Sequence, residues 1–175
     1  TTFQLLLFAG FVLLLRKKGD KSHLLLFFFL VANALFIAGF LIRHYLFVDI
    51  VVMSNFLFWG TSFGFLFGPL LYFYTRSVTQ PEFKLSSKFI LHLIPAVLYL
   101  LLILFLFHLK TVEEKISLLQ SGHIFPGDLA FWLNQAMNVQ ILLYMTASII
   151  VLKNFKLSLK NSFSEIEKIK LSWLN

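Results

Sequence analysis

From His23 to Ile42 the chain runs twenty residues without an Asp, Glu, Lys or Arg. A helix of that length is about 30 Å long, the thickness of the hydrocarbon layer of a bilayer. Three more apolar runs follow, at roughly Ile50 to Tyr74, Phe89 to Phe107 and Leu129 to Leu152. A shorter one, Phe3 to Leu15, precedes them. The four longer runs are too long and too uniformly apolar for the alternating strands of a barrel, so they predict helices. Composition points the same way: 59% of the 175 residues are hydrophobic, 23 are Phe and only 13% are charged. A soluble domain is nearer half apolar and a quarter charged. The expected fold class is therefore all-α, an integral membrane helical bundle of five transmembrane segments with the lipid bilayer as its main partner. The first segment falls short of the ~20 residues a spanning helix needs. Because the chain opens on Thr1, that segment is expected to be truncated.

Orientation follows from the basic residues of the short connections. Arg16, Lys17, Lys18 and Lys21 follow segment one, and Arg76, Lys84 and Lys88 follow segment three. Lys153, Lys156, Lys160, Lys168 and Lys170 follow segment five. Twelve of the fifteen Lys and Arg thus fall on one side, against Arg43, Lys110 and Lys115 on the other. The richer side is expected in the cytoplasm, with the N-terminus outside and the C-terminus inside. The net charge of +7 then has a topological cause, and direct nucleic-acid binding by this chain is not expected. No cleavable leader is evident, since segment one has neither a basic stretch before it nor a small-residue cleavage motif after it. With no Cys, disulfides and thiolate metal sites are excluded.

Within FWGTSFGFLFGPLLYFY, residues 58 to 74, Gly60, Gly64 and Gly68 recur every four residues and so share one helix face. Helices in lipid associate by close packing, and small residues let backbones approach. The preferred reading is a packing seam within the chain, with Thr61 and Ser62 beside it as hydrogen-bonding residues; a homodimer interface is the alternative. Pro69 removes the bond its nitrogen would have made to Phe65 and is expected to kink or loosen the helix, and Pro95 to do the same in segment four. The two prolines are candidate hinges or fixed kinks.

Segment five carries Asn134, Gln135, Asn138 and Gln140, with Thr146 and Ser148 deeper. Amides are costly in hydrocarbon without partners, so they are expected to point into the bundle. Asn33 and Asn55 are the candidate partners. The set reads either as interhelical glue or as a polar cavity opening outward.

Catalytic chemistry is not indicated. The five His are scattered, no carboxylate lies mid-membrane, and Asp20, Asp49 and Asp128 fall in loops or at helix ends. No protease, hydrolase or phosphate-binding motif is present. Neither an enzyme, a metal site nor a cofactor is expected. Between segments four and five, Thr111 with Glu114 fits a capping box, Gly122 fits a helix end, and Ile116, Leu118 and Leu119 are expected on the membrane surface. Pro126-Gly127 turns the chain, and Asp128 is placed to cap segment five. Ser86 or Ser87 is placed to cap segment four. After Lys153 the character changes. Ser162 with Glu165, or Ser164 with Glu167, offers a new helix start, and Ile166, Ile169 and Trp173 share a face. Residues 1–153 thus read as the bundle and 154–175 as a cytoplasmic amphipathic linker leading toward a further helix.

Three stretches carry a resemblance: LLLRKKGDKSHLLLFFFLVANALF at 13 to 36, FGPLLYFYTRSVTQPEFKLSSKFILHLIP at 67 to 95, and FSEIEKIKLSWLN at 163 to 175. Together they resemble the membrane-spanning N-terminal region of Bacteroidetes-type AraC family transcriptional regulators. The resemblance implies about seven helices followed by a cytoplasmic helix-turn-helix domain, which these residues lack. It implies a sensory or anchoring role, with DNA reached only through that missing domain. It carries over no ligand-binding residue. The membrane part of a sensor histidine kinase, a small transporter and a structural membrane subunit are the alternatives.

Overall fold

A computed structural model of the protein describes residues 1–16, 20–45, 54–80, 82–121 and 124–172; the side chains of 43–45 and 162–172 lie outside that description. Among the described residues every element is helical: α1 (Thr2–Leu14), α2 (Lys21–Tyr45), α3 (Trp59–Ser62), α4 (Gly64–Thr79), α5 (Ile94–Ile103), α6 (Val112–Ser121) and α7 (Leu129–Ser172). A 3-10 segment, Ser87–Leu93, leads into α5, and a π-helical turn, Leu104–His108, continues it. Four stretches are long and apolar enough to cross a membrane: Lys21–Ile42, Ser54–Thr79, Ser87–His108 and Leu129–Asn161. α1, at 13 residues, is a shorter apolar helix and is not among the four. Lys17, Lys18, Asp49 and Gly122, and the side chains of Arg43 and of the tail residues from Ser162 onward, fall outside the description.

α2 and α4 form the centre. α1 packs along one flank of α2, burying Ala9 and Val12 against Leu30. α7 packs along α4, and α2 packs on both α3 and α4. Burial shows which span is innermost: 56% of the apolar window in Ser54–Thr79 is buried, against 6% in α7. α7 therefore touches the bundle along a single stripe. α2 starts where Asp20 accepts from the Ser22 backbone N–H at 2.8 Å, an N-cap, while its other oxygen meets His23 Nδ1 at 2.5 Å. The hydrogen bond from the Ser22 hydroxyl is the main reason the Asp20 carboxyl is pulled down to about 2; desolvation opposes this, and the His23 side chain and the Ser22 and His23 backbones assist.

Three expectations change here. The third span is interrupted: Phe58 has a left-handed backbone (φ 67°, ψ −13°), and i→i+3 bonds at Phe63 join α3 to α4. Pro95 does not kink a helix from within. It occupies the first turn of α5, where its missing N–H would have no intrahelical partner, and so marks the change from 3-10 to α-helix. Finally, the chain does not restart after Lys153. α7 continues as one helix through Ser172, so the paired Ser/Glu starts of the tail initiate nothing. Good helix formers such as Leu, Lys and Glu carry it through the change in polarity without a break.

Candidate functional site

The glycine face divides between two neighbours. A Cβ at Gly60 would lie 2.7 Å from the Gly39 Cα and 2.8 Å from the Leu35 carbonyl oxygen, so α3 and α2 touch backbone to backbone. At Gly64 a Cβ would collide with the Met137 sulfur and come within 3.2 Å of Phe36. At Gly68 it would lie 2.7 Å from the Tyr144 ring. Gly60 thus admits α2, Gly68 admits α7, and Gly64 faces both. The interruption at Phe63 is what lets consecutive glycines turn to different partners. Room at Gly68 brings Tyr144 close to the segment before α5, where its hydroxyl and His92 Nδ1 share a 2.5 Å hydrogen bond. Pro69 is fully buried inside α4. The carbonyl it leaves without a donor, that of Phe65, accepts from Gln140 Nε2 on α7 at 3.2 Å.

Two departures from regular backbone, Phe58 and the π turn, meet at the end of the bundle away from the basic connections. A bulky residue with positive φ is an outlier that costs about 1–3 kcal/mol, so packing must impose it. At Phe58 the imposing groups are the rings of Phe107 at 5.2 Å and Phe125 at 6.2 Å, both edge-on. Phe107 reaches this place from the π turn, closed by the Leu109 N–H bonding the Leu104 carbonyl at 2.9 Å. π turns of this kind are rare and frequent at functional sites. The same turn stacks His108 on Trp59, with ring centres 4.8 Å apart.

α6 closes this end. Its capping box forms, with the Thr111 N–H donating to Glu114 Oε2 at 2.9 Å and the Glu114 N–H to Thr111 Oγ1 at 3.3 Å. Leu118 and Leu119, expected on a membrane surface, are half-buried and pack onto the cluster of Leu57, Phe58, Ile103 and Phe107. On the same face Lys115 is buried, and its ammonium donates to Asn55 Oδ1 at 3.0 Å. Sequence reasoning missed Lys115. The signal was its spacing, since Lys115, Leu118 and Leu119 stand at i, i+3 and i+4 on one face.

Beneath this cap lies a cavity of about 390 Å³, within the size range of small-molecule sites. Its walls are mostly aromatic and aliphatic, with Phe36, Phe58 and Phe65 among them. Three polar side chains reach it: Thr61, Tyr99 and Asn134. Thr61 Oγ1 donates to the Phe58 carbonyl at 2.7 Å, so across the 3.0 Å contact with Thr61 it is the Tyr99 hydroxyl that donates.

The five amides proposed for one polar cavity are not brought together. Asn134 lines the cavity from an exposed position on α7. Asn55 holds Lys115 at the cap. Asn33 turns back on its own helix and donates to the Phe29 carbonyl at 2.7 Å. Gln135 and Asn138 lie on the exposed face of α7. The physical reason is the single stripe by which α7 docks, which leaves most of its circumference outside. Among the described residues no three His, Asp or Glu gather as metal ligands.

Compared with known protein families, with curated proteins and with solved structures, the chain matches none.

Proposed function

We propose that this chain is the membrane-embedded sensory domain of a one-component transcriptional regulator, of the AraC type its sequence resembles. In this reading all five apolar segments cross the cytoplasmic membrane, with the N-terminus outside and the basic connections in the cytoplasm. DNA is contacted only by a helix-turn-helix domain that these residues do not contain.

The observation that carries the reading is α7. Its first turns, with Asn134 and Met137, line the cavity, and the same helix runs unbroken to Ser172. At 1.5 Å per residue it is about 66 Å long, roughly twice the hydrocarbon thickness. A molecule that enters between Phe58, Tyr99 and Asn134 presses on the helix that emerges on the other side. The stimulus is then a small, mostly apolar compound with one or two hydrogen-bonding groups, matched to Thr61, Tyr99 and Asn134. The left-handed Phe58 and the π turn supply the strained element that such a ligand would relax or reinforce.

Because the chain has no native Cys, labels can be placed cleanly. Spin labels at Val78→Cys and Lys156→Cys, in lipid nanodiscs, report the position of α7 against α4. Thr61→Trp fills the cavity in place of a ligand. The sensory reading expects the label distance distribution to shift with that substitution. Identical distributions would reduce the chain to an anchor.

A further inference from the structure

A second cleft, of about 500 Å³, reaches the basic end of the bundle and shares no lining residue with the cavity under the cap. Phe28 and Ala32 of α2, Leu66 and Leu70 of α4, and Phe89 and Leu93 before α5 form its walls. Among the described residues, Arg16 and Lys21 are its only polar lining residues. From Lys21 to Ala32 along α2 is about 16 Å, so the cleft is an elongated apolar slot with both cations at one end. Its flank is open, since Phe28 is 49% and Leu85 40% exposed.

The cations are available. Arg16 is exposed, and its Nε donates to the Asp20 backbone carbonyl at 2.9 Å. The Asp20 carboxylate makes its hydrogen bonds to Ser22 and His23 and forms no ion pair with Arg16 or Lys21. Among the described residues Lys21 makes no hydrogen bond or ion pair with another side chain.

An apolar slot open sideways, with two cations at its mouth that make no ion pair among the described residues, matches an acyl chain joined to an anionic head. We propose that the cleft is a binding site for an anionic phospholipid of the surrounding leaflet. One acyl chain lies along Phe28, Leu66 and Leu70, and the phosphate meets Arg16 and Lys21. Arginine suits the phosphate because its planar fork bonds two oxygens at once, and lysine adds a point charge. The lateral opening selects a membrane lipid over a water-borne amphiphile, since the chain enters from the bilayer without crossing water. Whether the domain senses anything does not affect this site; it requires only that the bundle stand in lipid.

The test places an indole in the slot with Phe28→Trp and reconstitutes the protein in nanodiscs of equal phosphatidylglycerol and phosphatidylcholine. Either lipid is brominated on its acyl chains, and quenching is corrected with the parent protein, whose own indoles are Trp59, Trp132 and Trp173. Brominated phosphatidylglycerol is expected to quench the reporter more effectively than brominated phosphatidylcholine, by up to about thirtyfold, the factor two basic residues near a membrane surface supply. The double substitution R16Q/K21Q, at two exposed positions that leave the core untouched, is expected to remove the preference. Equal quenching by the two lipids, or a preference that survives R16Q/K21Q, overturns the proposal. Quenching by neither lipid overturns it as well, because the slot is then closed to the bilayer.

Discussion

Gln140 on α7 gives Phe65 on α4 the hydrogen-bond donor that Pro69 cannot supply, across 3.2 Å. A proline inside a membrane helix leaves a carbonyl that neither water nor the helix satisfies, and a neighbouring side chain is one of the few remedies in lipid. The bond therefore ties the least regular part of α4 to the helix proposed to carry the signal. Gln140→Leu is expected to destabilise the bundle by about 0.6–1.7 kcal/mol, the range found for hydrogen bonds between membrane helices. In a Pro69→Ala background, where residue 69 regains an N–H for Phe65, the same change is expected to cost much less. A double-mutant cycle by denaturant titration in micelles isolates that difference from the lost proline volume. Equal costs in both backgrounds would show that Gln140 acts elsewhere.

Each glycine is expected to tolerate alanine according to what stands opposite. Gly60→Ala and Gly39→Ala set a Cβ against backbone, which cannot step aside, and are expected to cost about 1–3 kcal/mol. Gly64→Ala meets mainly the flexible Met137 side chain and is expected to cost less. Gly10→Ala on α1 meets nothing within 4 Å, so it is expected to be neutral or to stabilise by up to about 1 kcal/mol through helix propensity. Thermal melts of the four variants in one detergent give the order directly.

At the cap, Asn55→Ala leaves the buried ammonium of Lys115 without its amide and is expected to cost about 1.5–3 kcal/mol. Lys115→Met removes the charge while keeping the length and apolar stem, and is expected to cost less than Asn55→Ala. Introducing Asn55→Ala into the Lys115→Met protein should then add little. Hydrogen exchange of α6 reads both effects, since loosening there exposes the amides of Val112–Ser121.

The cap on α2 gives a pH signature. The Asp20 carboxyl sits near 2, below its ordinary 3.8, so the folded state favours the ionised form. That contribution is fully present above about pH 4 and is lost as pH falls through about 2. Asp20→Ala is expected to cost about 1 kcal/mol at neutral pH, as losing an N-cap does, and to flatten the decline below pH 4. A parallel loss of stability in both proteins between pH 4 and 2 would mean that the cap carries none of it.

Much of this was legible in the residues. Hydropathy locates α2, the fourth span and the start of α7, because segment length against bilayer thickness is a coarse and reliable constraint. Thr111 and Glu114 announce their capping box at fixed spacing, and Pro69 announces the orphaned Phe65 carbonyl. Partners were not legible. In a chain apolar on nearly every side, no contrast marks which face of a helix turns inward, so Gly39 opposite Gly60 and Gln140 opposite Phe65 emerge only in three dimensions. For the same reason the cost of their amides points Asn134, Gln135 and Asn138 inward, and all three are exposed. Phe58 gives no warning at all, since its left-handed backbone is imposed by Phe107 and Phe125 from distant parts of the chain.

The uninterrupted course of α7 has a mechanical corollary. A rod about 66 Å long that is held from Met137 to Ser148 and leaves the rest of its length beyond that grip works as a lever. A swing of a few degrees beside Asn134, too small to repack the side chains there, carries the opposite tip through several ångströms. A hinge or second helix start after Lys153 would absorb such a swing; a stiff shaft delivers it whole.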